Sequence, residues 1–175
     1  MKWPRFILIL LALMLLDAGQ WTGMLAVGQQ QIRPDFLLIA MVFFASNGST
    51  GEAMYASFLI GLAADISSEG AVIGPCILSF GTFGTLLSLV RRVVVMQRVI
   101  FQAITIFVMA LLILPTMYLL IRAKTGQSVS HPMSAILGGA VYAAIVGPIL
   151  WKLLSMLGGW LGLHQPPPYS MRRYV

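Results

Sequence analysis

Five carboxylates (Asp17, Asp35, Glu52, Asp65 and Glu69) and two histidines (His131 and His164) are the side chains from which acid–base or metal chemistry would have to be built. Their spacing supplies neither. The histidines fall in a loop and in the tail, and no apolar segment carries His, Asp or Glu at the helical spacing that turns several ligands toward one metal ion. Ser49 lies in no Gly-x-Ser-x-Gly elbow, and no glycine-rich loop ends in the Gly-Lys pair that cradles phosphate. Cys76 is the single cysteine, so it has no partner for an internal disulfide and no second thiol for a metal. Catalytic, cofactor-binding and metal residues are therefore not expected.

The surroundings of these side chains are overwhelmingly apolar. Of 175 residues 59% are hydrophobic and 9% charged, and the mean hydropathy is +0.91, against roughly 25% charged in soluble domains. This is the composition of an integral membrane protein, with room for about six helices of about 20 residues and short loops. The net charge of +6 is scattered at segment ends rather than massed on one face, which excludes a nucleic-acid module and points to membrane lipid as the neighbour of the basic residues.

Six apolar segments are expected to form a compact all-α bundle over 1–157. The first, about Trp3 to Ala26, resembles a signal peptide but has no small-x-small exit, so it reads as an uncleaved helix with Trp3 and Trp21 marking the two interfaces. The second, Phe36 to Ala45, is short and lies between Arg33-Pro34-Asp35 and the polar turn Ser46 to Gly51. Ala53 to Ile66, Ile73 to Val90, Val99 to Ile121 and Met133 to Leu157 follow. The stretch 158–175 reads as a cytoplasmic tail, with Pro166-Pro167-Pro168 favouring an extended conformation and Arg172-Arg173 suited to anionic headgroups or to a cytosolic partner.

Orientation follows from the basic residues. If the second segment crosses and the N-terminus is cytoplasmic, Lys2, Arg5, Arg91, Arg92, Arg98, Lys152, Arg172 and Arg173 lie inside and only Arg33, Arg122 and Lys124 outside, eight against three. Without that crossing the balance reverses. Six crossings with both ends cytoplasmic is the expected topology, the second helix being short, tilted or buried among the others.

Small residues recur at four-residue intervals along two segments: Ala53, Ser57 and Gly61 on the third, and Ala135, Gly139, Ala143 and Gly147 on the sixth. Such ladders let helix backbones approach, either inside the bundle or against a partner's transmembrane helix, the sixth being the better partner candidate. Pro115 and Pro148 should kink the last two helices.

The topology also gathers Asp17, Arg33, Asp35 and Asp65 at the outer level. A carboxylate in hydrocarbon costs about 2.5–3.5 kcal/mol even on lenient scales, so each needs a counterpart. Asp35, directly after Pro34, suits a first helical turn. Asp65 has three readings: pairing with Arg33 or capping backbone at the loop, contact with a partner's outer segment, or ion or proton handling. The last lacks a second titratable group deep in another helix.

Two stretches resemble the bacterial rod shape-determining membrane protein family MreD. One is Pro34-Asp35-Phe36-Leu37-Leu38; the other runs from Gly61 through Asp65 and Gly70 to Gly74, similar to that family's Gly-x-x-x-Asp, Gly, Gly succession. The basic break Arg91-Arg92 and the long fifth helix fall in the corresponding places. Gly74-Pro75-Cys76 departs from the Gly-Leu-His-like sequence of the family. The resemblance implies a non-catalytic scaffold of the cell-elongation machinery in the inner membrane. Such a scaffold would bind MreC and link MreB filaments to RodA and its transpeptidase, a class B penicillin-binding protein, in peptidoglycan synthesis. It also implies a fold similar to the S component of energy-coupling-factor vitamin transporters, which makes substrate binding by such a subunit the alternative function.

Overall fold

The computed structural model describes residues 3–18, 35–67, 73–90, 99–126 and 132–161. Within them the chain forms six helices: α1 (Trp3–Ala18), α2 (Phe36–Asn47), α3 (Thr50–Ser67), α4 (Pro75–Val90), α5 (Val99–Thr125) and α6 (Pro132–Leu161).

Their arrangement follows from the second helix. With 12 residues, α2 is about 18 Å long, short of the roughly 30 Å that a lipid-facing crossing helix needs, and it is apolar on every side, which suits a position enclosed by the other helices. Leu37 to Ala45 are all buried, and α2 packs against each of the other five described helices. Those five close a ring around it in the order α1, α3, α4, α5, α6 and back to α1. The ends of α2 are satisfied locally. Asp35 Oδ1 accepts from the Leu38 amide at 2.8 Å; at the other end Ser46 Oγ donates to Val42 O at 2.7 Å and Asn47 Nδ2 to Phe43 O at 2.9 Å. These bonds extend the helix through Ser46 and Asn47, where a turn was expected, and leave Gly48 and Ser49 as the connection to α3.

The outer surface of the ring is apolar. Leu15 is 72% exposed, Ile149 70% and Met156 78%, a surface that lipid solvates and water does not. Among the described residues α5, and α6 over Ile136–Leu157, are long and apolar enough to cross a membrane. The first helix is described only to Ala18, so the expected continuation to Ala26, with Trp21, lies outside the described residues. The last helix passes the expected boundary at 157 and runs to Leu161, because Gly158 and Gly159 weaken a helix without breaking it and the prolines begin only at Pro166.

Adjacent ring contacts fix which ends meet. Tyr55, Trp3, Phe6, Phe44, Phe43 and Trp151 form an unbroken chain of edge-on aromatic contacts, with centroids 4.9–6.2 Å apart. It joins the starts of α1 and α3 to the end of α2 and to α6. Asp17, Asp35 and Asp65 lie toward the opposite end.

Candidate functional site

At that opposite end, α4 begins abruptly. The first amides of a helix have no intrahelical acceptor; Pro75, at the first helical position, removes one of them, which leaves the amides of Cys76 and Ile77 to be satisfied. Asp65, at the end of α3, takes both. Its Oδ1 accepts from Cys76 N at 3.0 Å, and Oδ2 accepts from Ile77 N at 3.0 Å and from Gly74 N at 2.9 Å. The carboxylate is 3% exposed, and its charge is held by three donors and the positive end of the α4 dipole rather than by solvent.

Gly61 makes this reach possible. It lies one helical turn before Asp65 on the same face of α3, and a Cβ there would stand 2.8 Å from both Cys76 O and Ile77 Cα. Only glycine lets the two backbones approach so closely. Gly74 has φ +124°, a left-handed conformation that favours glycine. On the far side of the same turn, Lys124 from the last turn of α5 donates through Nζ to Ile73 O at 3.0 Å. The site therefore joins α3, the turn before α4, and α5.

Asp17, near the end of α1, and Asp35, which caps the start of α2, lie toward the same end of the bundle as Asp65; among the described residues no three His, Cys, Asp or Glu side chains are arranged to hold a metal ion. Of the four residues expected in the outer polar cluster, Asp17, Asp35 and Asp65 are described, at the end of α1, the start of α2 and the end of α3. Arg33 lies outside the described residues, as do Gly70, Arg91, Arg92, Arg98, Arg172 and Arg173.

The small-residue ladders are used within the bundle. Ala53, Ser57 and Gly61 are buried along α3, and Gly84 and Gly81 of α4 receive Ser57 and the Phe58 ring, where any Cβ would collide. On α6, Gly139 faces Leu114, with a Cβ there 3.3 Å from Leu114 Cδ1, Gly147 faces Ile106, and Ala143 between them is 1% exposed. Ala135 continues the ladder in the backbone of α6. Of the two readings of the α6 ladder, packing inside the bundle is the one seen at Gly139 and Gly147, where side chains of α5 fill the space that the missing Cβ leaves.

Two features escaped the reading of the sequence. Ser49-Thr50-Gly51-Glu52 is a capping box at the start of α3: Ser49 N donates to Glu52 Oε2 at 3.1 Å and Glu52 N to Ser49 Oγ at 3.4 Å. Its Ser-x-x-Glu spacing was legible. The aromatic chain had no such signal, because its members come from four different helices.

The family model described as rod shape-determining protein MreD matches residues 1–157. No curated protein and no solved structure gives a significant match.

Proposed function

The chain belongs to the rod shape-determining MreD family, and on that premise we propose that it acts as a non-catalytic membrane scaffold of cell elongation. The observation that carries this reading is the family match along residues 1–157, which takes in α1 to α5 and most of α6. In this role the protein binds MreC and, through it, links cytoplasmic MreB filaments to RodA and its class B penicillin-binding partner. It sits in the bacterial inner membrane with six crossings and both termini cytoplasmic. The apolar ring surface supports membrane residence, and the sharing of one end by Asp65, Gly74 and Lys124 supports the alternation of helix directions that six crossings require. Co-purification of MreC with the full chain from native membranes, and restoration of rod shape to cells depleted of the endogenous relative, are the expected results. Loss of both in a stably inserted protein would sink the proposal.

The alternative, an S component of an energy-coupling-factor transporter, shares the expected helical plan and requires an outer pocket whose polar groups are available to a vitamin. Asp65 is already engaged by three amides, which favours the scaffold. A small molecule retained stoichiometrically through purification would reverse that preference.

A further inference from the structure

The peptide joining Ile73 to Gly74 is held at both ends by opposite charges. Its N–H donates to Asp65 Oδ2 at 2.9 Å and its C=O accepts from Lys124 Nζ at 3.0 Å. We propose that Lys124 is a positioning residue for the start of α4, acting with Asp65 through this one shared peptide. The peptide dipole lies with its positive end on the carboxylate and its negative end on the ammonium, so each charge polarises the peptide in the sense that strengthens the other's hydrogen bond. The backbone alone does not hold the plane. Gly74, at φ +124°, is the residue type with the least intrinsic resistance to rotation, so the orientation that delivers the Gly74 amide to Asp65 depends on what grips the carbonyl.

Three helices meet at this grip. Asp65 closes α3, the gripped turn opens α4, and Lys124 lies in the last turn of α5. Gly61 brings α3 and α4 into backbone contact next to the turn. Lys124 adds α5 to that unit, and without it the turn is held from one side only. The inference concerns the architecture of the outer end and stands apart from the reading of function above.

Cys76, the single cysteine, is a natural reporter: it is 4% exposed, and its own amide is one of the three on Asp65. Opening of the turn exposes its thiol. In the full-length protein in its membrane, the rate of alkylation by N-ethylmaleimide should be slow and should rise about three- to tenfold in Lys124→Met, as expected for loss of one charge-assisted bond at an exposed helix end. Lys124→Arg keeps a cationic donor and should restore the slow rate. Asp65→Asn should also speed labelling, and the double variant should be no faster than the faster single one, since both act on the same peptide. An unchanged rate in Lys124→Met, failure of arginine to restore it, or single effects that multiply in the double variant would each overturn the proposal. If Asp65→Asn does not fold, the two Lys124 variants decide.

Discussion

Asp65 shows how backbone can hold a charge inside an apolar bundle: three N–H groups and the positive end of a helix dipole stand where water would. Removing the carboxylate leaves the buried Cys76 amide unsatisfied, at about 1–3 kcal/mol, and takes an acceptor from the partly buried amides of Gly74 and Ile77. Asp65→Leu should therefore destabilise the bundle by about 2 kcal/mol or more, seen as a lower unfolding midpoint in detergent. Unaltered stability would mean that the carboxylate is only a loop-end residue. Its need for a partner was legible from sequence, because a charge within an apolar segment must be compensated. The identity of that partner was not. Capping shared the first of three open readings of Asp65 with pairing to Arg33, and the amides that receive it lie 9 to 12 residues further on, beyond any local rule. Asp35 was easier, since it caps its own helix three residues away.

At the scale of elements, glycines separate into those that set helix distance and those that do not. A Cβ at Gly61 meets the backbone of α4 at 2.8 Å, whereas at Gly51, also in α3, it meets nothing within 4 Å. Backbone cannot swing aside as a side-chain tip can. Gly61→Ala should thus cost about 1–3 kcal/mol, while Gly51→Ala should be neutral or stabilise by up to about 1 kcal/mol through helix propensity; equal effects on the unfolding midpoint would refute the distinction. The repeating small residues announced close helix contacts. Which helix would fill each stripe depended on the order of the ring, and at Gly139 and Gly147 of α6 it is α5.

For the molecule as a whole, α2 is the keystone, buried from Leu37 to Ala45 and touching all five described neighbours. Phe44 on α2 is 2% exposed and stacks edge-on with Phe6 at 4.9 Å and with Phe43 at 5.5 Å. Phe44→Ala should cost about 3–5 kcal/mol through the cavity it leaves, against about 0.5 kcal/mol or less for Leu15→Ala on the lipid face. Comparable losses from the two would show that α2 is not the centre of the bundle. Orientation is tested separately: in a Cys76→Ser background, a membrane-impermeant thiol reagent should label Thr125→Cys from outside intact cells and Gln97→Cys only after the inner face is opened. The reverse pattern would invert the topology.

Apolar segments, their number, the scarcity of chemistry and the balance of basic residues at their ends are local properties of the chain, because hydrophobicity and charge act on each segment wherever it lies in a bilayer. The family resemblance belongs with them, carried by Gly61, Asp65 and Gly74 in order. Tertiary structure alone decided that the short second helix stands at the centre, that aromatic side chains from four helices connect at one end, and that Asp65 and Lys124 grip one peptide between them. The physical reason is that, with lipid solvating apolar surface as well as protein does, helix positions are set by shape and hydrogen-bond satisfaction between distant residues. Both become defined only once the backbones are side by side.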